Sequence, residues 1–185
     1  MGPVYRQPRI NARVQREVIA ASEVAARIMP TMTSSAELVR QARNQGVTIP
    51  KKPRRRTAVV TCMDTRLDPL RIVSAEVGDI HVIRNAGAVV TDDVVRSLIA
   101  STRWLGVDRI QIMMHTDCGA LGLTRDVVEA ELGPAAPDLR GFTSIEDELE
   151  RGVERLRSEP LIGAAKGVTG MIYDVATGEL RTVIP

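Results

Sequence analysis

Both cysteines of this 185-residue chain and one of its two histidines fall in two short segments, Cys62-Met63-Asp64-Thr65-Arg66 and His115-Thr116-Asp117-Cys118-Gly119. Thiolate and imidazole are the donors zinc prefers, and a catalytic zinc takes three protein ligands and leaves a fourth position for water. Cys62, His115 and Cys118 form such a set. Taken one at a time, each has a plainer reading, since free cysteines are often inert core residues and a lone histidine is often a satisfied one. Taken together they point to a metal, because the two residues between His115 and Cys118 give ligand spacing and each segment directly follows a short apolar run. A dithiol redox site has no support, as no Cys-x-x-Cys occurs.

Asp64 and Arg66 add what a purely structural metal site does not need. Two residues apart on one loop, they can pair through both carboxylate oxygens. One oxygen then remains available to accept a hydrogen bond from a metal-bound water, or the carboxylate swings round and takes the fourth position itself. Structural zinc sites are normally closed by four Cys or His ligands, and His81 is the only other candidate in the chain. A non-catalytic zinc domain serving assembly is the rival reading.

The elements that must position these residues are legible as apolar patterns. Ala58-Val59-Val60, Ile80-His81-Val82-Ile83, Ile110 to Met114 and Val168 to Tyr173 read as strands. Thr91 is placed to cap a helix with Asp92 and Asp93 in its first turn and Val94, Val95, Leu98, Ile99 and Thr102 on its core face. Ile145, Leu149, Val153 and Leu156 form a second stripe, ended by Pro160. Strands alternating with helices predict a single α/β domain with a central, mostly parallel sheet of about four strands plus a short closing strand, flanked by helices. The metal segments then stand at the carboxyl ends of two strands, where open α/β sheets place their ligand sites.

Residues 1–50 read as a helical arm. Val14, Val18, Ala21, Ala25 and Ile28 recur at helical spacing up to Pro30, and Ser34 with Glu37 opens a second helix before Gly46. With little apolar content of their own, these helices are expected to pack on the zinc-binding domain of residues 51–185 or on a second subunit. The basic run Lys51-Lys52-Pro53-Arg54-Arg55-Arg56 reads as a solvated linker. His81 reads as a strand residue, and Trp104 as packing at a core or subunit boundary.

Composition narrows the class. Apolar residues make up 44% of the chain but aromatics only 2%, so the core is aliphatic and recognition by stacking is not expected. A net charge of +2 and a pI near 8.8 are too mild to imply nucleic acid as a partner. No run approaches the ~20 apolar residues of a membrane span, and Met1 is not followed by a secretory leader, so a cytoplasmic protein is expected.

Cys62-x-Asp64-x-Arg66 and His115-x-x-Cys118-Gly119, with 53 residues from Cys62 to His115, resemble the two signature motifs of the β-class carbonic anhydrases. Gly78 to Gly87 is similar to the family's second-strand segment, and Tyr173 to Leu180 to its closing strand and turn. The resemblance runs from about Thr57 to the C-terminus. It implies a zinc enzyme that hydrates carbon dioxide reversibly to bicarbonate and a proton, built as a homodimer or a larger homo-oligomer. It further implies Cys62, His115 and Cys118 as zinc ligands. Asp64 would be the fourth ligand in closed members and would orient hydroxide in open ones, held off the metal by Arg66, while Gly119 would help orient the substrate. Related branches hydrolyse carbonyl sulfide or carbon disulfide with the same metal set, and that activity is the alternative. Thr65 and Ala120 depart from commoner family residues, and the pocket glutamine of plant-type members has no match.

Overall fold

The computed structural model describes residues 49–162 and 167–185, all within the compact unit Thr48–Pro185. The two helices expected before Pro50 lie outside the described residues. Five strands, β1 (Thr57–Cys62), β2 (Ile80–Asn85), β3 (Arg109–His115), β4 (Gly167–Tyr173) and β5 (Leu180–Ile184), form one sheet in the order β2-β1-β3-β4-β5. The first four are parallel, and β5 closes the sheet antiparallel to β4. This is the expected architecture, down to the short closing strand.

β1 is buried at all six positions, as its central place requires. Strands covered on both faces read as continuous apolar runs, whereas the edge strand β2 leaves Val82 and Arg84 exposed. One face of the sheet carries Ala58, Val60, Ile110, Ile112 and Met114 against the helices. The opposite face carries Val59, Met113 and Met171.

Four helices join the strands: α1 (Pro69–Ile72), α2 (Asp92–Arg103), α3 (Arg125–Leu132) and α4 (Ile145–Ser158). Thr91 caps α2 as expected, its hydroxyl accepting from the Val94 amide at 3.4 Å. Ser144 does the same for α4, accepting from Asp147 at 3.1 Å. The Leu149, Val153 and Leu156 stripe of α4 is fully buried. It approaches the sheet so closely at Gly152 that a Cβ there would stand 3.0 Å from Val90 and 3.2 Å from Ile112. Among the described residues no helix is long and apolar enough to cross a membrane.

One expectation is corrected and another is narrowed. The basic run is not a solvated linker: Arg54 and Arg55 both pair with Asp79, at 2.7 and 3.1 Å, and Arg56 pairs with Asp108 at 3.0 Å. Asp79 and Asp108 precede β2 and β3, so the run ties the amino ends of three strands together. Trp104 is not a core residue. It ends α2 with 71% of its surface exposed, so of the two placements expected of it the core is excluded. His81 is structural as expected, its Nδ1 sharing a 2.8 Å hydrogen bond with Ser101 of α2.

Candidate metal centre

β1 and β3 are adjacent and parallel, and each ends on a candidate ligand, Cys62 and His115. Their carboxyl ends meet where the strand order reverses direction from β1, which is the crevice that open α/β sheets use for ligands. The Thr61 hydroxyl donates to the Met113 carbonyl at 2.9 Å, fixing the two strand ends side by side one residue before the site. Beyond β3, Asp117 adopts a left-handed conformation, φ +52°, which asparagine and aspartate tolerate best after glycine. This turn follows His115 and leads directly to Cys118, whose side chain is buried in the same cluster as Cys62.

The three donor groups are buried, and their ligand atoms lie within 4.8 Å of one another. The two Sγ atoms are 3.9 Å apart, far beyond the ~2.04 Å of a disulfide. Two thiolates on a tetrahedral zinc with bonds of ~2.3 Å stand about 3.8 Å apart. The imidazole agrees. His115 Nδ1 lies 2.8 Å from the Thr116 carbonyl, so Nδ1 carries the proton and donates, leaving Nε2 as the free base. Nε2 is buried with no protein partner, an arrangement that costs about 1–3 kcal/mol unless something accepts its lone pair. The donor set, its spacing and this unpaired nitrogen all fit zinc.

Asp64 stands over the cluster without joining it. Its Oδ2 is 3.9 Å from His115 Nε2, and both carboxylate oxygens are taken by Arg66: Nε donates to Oδ1 at 3.0 Å and Nη2 to Oδ2 at 2.7 Å. The Arg66 amide adds a third bond to Oδ1 at 2.9 Å. These bonds from Arg66 hold the Asp64 carboxyl well below the usual carboxylate range, so it is ionised at any working pH. The pair raises the Arg66 guanidinium in turn. Burial pushes the Cys118 thiol up, and the neighbouring Cys62 sulfur adds to the shift. A cation must therefore displace a proton to bind there.

The structure brings Cys62, Asp64, Arg66, His115 and Cys118 together, as the sequence predicts. Gly119 is exposed, and a Cβ added to it would meet nothing within 4 Å. Three contributors escaped the sequence reading. The Gly87 amide donates to Cys62 Sγ at 3.3 Å. Arg84 on β2 reaches across to the carbonyls of Cys62 and Asp64, at 2.9 and 2.7 Å. Asp117 accepts from Arg66 Nη1 at 2.6 Å, and its carbonyl accepts from Nη2 at 2.7 Å. A glycine just after a strand is a visible signal, and so is an aspartate inside a ligand motif. Arg84 gives none.

The sequence profile of the carbonic anhydrase family matches residues 57–154, a stretch that contains every residue of the centre. β-Carbonic anhydrase 1 of Mycobacterium tuberculosis is 39% identical over 144 residues, which cover 74% of this chain and 87% of that protein. A carbon disulfide hydrolase of an Acidianus species is 34% identical over 156 residues, covering 69% and 76%. Among solved structures, the carbonic anhydrase of Streptococcus mutans superposes with a TM-score of 0.68 at 32% identity, covering 95% of this chain and 99% of that one. Motifs, sheet order and donor geometry agree with these likenesses: the chain belongs to the β-carbonic anhydrase family.

Proposed function

We propose that this chain is a zinc-dependent carbonic anhydrase that hydrates carbon dioxide reversibly to bicarbonate and a proton, with Cys62, His115 and Cys118 as the metal ligands. The observation that carries the site assignment is the unpaired, buried Nε2 of His115 beside two sulfurs 3.9 Å apart. Zinc held by Cys62, His115 and Cys118 would supply a nucleophile at neutral pH, since such an ion lowers the pKa of water to about 7 in favourable sites.

The remaining chemistry belongs to this chain. Asp64, ionised and 3.9 Å from the histidine nitrogen, accepts a hydrogen bond from the reacting water and turns its lone pair toward the substrate. Arg66 holds Asp64 in that role and keeps it from serving as a ligand. Cys62 and Cys118 are buried in the aliphatic core cluster, surroundings suited to a small nonpolar substrate. The exposed Gly119 follows Cys118 at the mouth and orients the substrate there.

A second reading, hydrolysis of carbon disulfide or carbonyl sulfide, is favoured by the likeness to the Acidianus enzyme. The same apolar surroundings suit either substrate. Turnover of the zinc-loaded protein on carbon dioxide, carbonyl sulfide and carbon disulfide side by side decides between them. Carbon dioxide hydration no faster than that of Asp64→Asn overturns the first reading.

Among the described residues β2 is an edge strand with Val82 exposed; this edge and the exposed Trp104 support a homodimer or a larger homo-oligomer. Residues 1–50 are proposed as an arm that packs on residues 51–185, the catalytic domain, or on the partner. The reading places the enzyme in the cytoplasm, with no nucleic-acid or membrane partner. Sedimentation of the full chain as an active monomer would refute the oligomer.

A further inference from the structure

The Arg66 guanidinium is shared between two partners. Nε and Nη2 face Asp64, while Nη1 and the second proton of Nη2 face the side chain and the carbonyl of Asp117. A guanidinium has five N–H groups in a fixed plane. Four contacts from two sides leave it one orientation. Arg66 and Asp117 are 51 residues apart in the chain, one on each ligand loop, so this arginine is the brace between them. Asp117 reaches it from a left-handed backbone, φ +52°, which aims the carbonyl and the carboxylate at the same guanidinium.

We infer that Asp117 is a positioning residue for the gate: its carboxylate fixes the Arg66 guanidinium in the orientation that keeps Asp64 away from the metal. The inference rests on the proposed metal site. Without the Asp117 carboxylate, Arg66 keeps its bonds to Asp64 but loses the outer anchor that fixes where the pair sits. Asp64 then competes more often for the fourth position, and any ligand entering that position meets a stronger competitor. The Asp117 charge on its own acts in the opposite direction. A carboxylate near the mouth repels anions, so its removal alone would tighten anion binding.

The opposed signs give the test. The protein is loaded with cobalt(II) in place of zinc, one metal per chain is verified, and the dissociation constant for azide is read from the visible spectrum. Asp117→Gly deletes the carboxylate and relieves the left-handed backbone; it is expected to weaken azide binding about threefold to fivefold, the size of a tight but exposed ion pair. Asp117→Asn keeps an acceptor and tolerates the same φ but loses the charge, so it should bind azide at least as tightly as the parent. In an Asp64→Asn background the Asp117→Gly effect should vanish or reverse, because the competitor is gone.

Azide binding that is unchanged or tighter in Asp117→Gly overturns the inference. Weakening of equal size with and without Asp64 also overturns it, since the effect would then not pass through Asp64. A chain that takes up no cobalt fails earlier and refutes the metal site itself, a result distinct from either of these.

Discussion

Gly87 joins the fold to the metal centre, and replacing it with alanine should damage both. It has φ +76°, a conformation that costs a residue with a Cβ about 1–2 kcal/mol. The added methyl would also stand 2.7 Å from Phe142 Cε1 and 2.9 Å from Ala120 Cβ, and both of those residues are buried. Overpacking of that kind costs a further ~1–3 kcal/mol. The expected loss for Gly87→Ala is therefore roughly 2–5 kcal/mol, measured as the change in free energy of urea unfolding of the metal-free protein. Gly178→Ala is the control. Its φ is +78°, but the nearest atom to an added Cβ is the Tyr173 hydroxyl at 3.8 Å, so it carries the backbone cost alone. Because the Gly87 amide donates to Cys62 Sγ, Gly87→Ala should also weaken zinc binding in a chelator competition, whereas Gly178→Ala should not. If both variants lose the same stability and retain zinc equally, the packing argument is wrong.

Other expectations follow from the same geometry. Cys62→Ser or Cys118→Ser should lose most of the zinc on dialysis, and full retention by both would refute the ligand assignment; Asp64→Asn should keep its metal and lose most of its activity. Arg66→Ala should also keep zinc while activity falls sharply, because the freed Asp64 competes for the fourth position; wild-type turnover across the pH range would reduce the pair to a structural one. The Glu76 amide, with Arg54, holds the Asp79 carboxyl below its ordinary value. A depressed folded pKa gives stability that is present above the unfolded pKa of ~3.9 and is lost as pH falls through the folded value. The urea midpoints of wild type and Asp79→Asn should therefore converge below about pH 4 and differ at pH 7. Ser144→Ala should remove the α4 cap and cost about 1 kcal/mol in the same assay, and no change would show that the 3.1 Å bond to the Asp147 amide adds nothing.

The ligand residues were legible because their information is local. Each motif is five residues long and follows an apolar strand, so residue type, spacing and strand end could be read together. The long strands and the two amphipathic helices were legible for the same reason: their apolar patterns are clear, and Thr91 stands at the head of the first helix. The short helices were not. α1 is a single turn opened by Asp68 and Pro69, and α3 buries only Val128, too little apolar content to give a periodic signal. The basic run misled because its partners, Asp79 and Asp108, lie 25 and 52 residues away. A cation and an anion that distant cannot be matched until the strands between them are registered. Trp104 misled only as to the core, since a lone tryptophan is usually covered.

Charge explains why the centre needs more than its ligands. Two thiolates would neutralise a divalent zinc held by Cys62, His115 and Cys118 and would make it a weaker Lewis acid than one held by neutral imidazoles, so acidifying water would be harder than in an all-histidine site. The surrounding residues do not repair this by adding net positive charge. Arg66 is matched by Asp64 and Asp117, and Arg84 is directed at two backbone carbonyls rather than at the ligands. Two cations and two anions leave the set neutral. In the proposed function the chain would supply orientation instead: an ionised carboxylate held by a planar cation that is itself bonded to Asp117. Preorganised acceptors of this sort do not have to reorient when the reaction occurs, and that saving lowers a barrier without any change in the metal's acidity. The carboxylate must then be rigid to be useful, which accounts for three separate hydrogen bonds from one arginine to one aspartate.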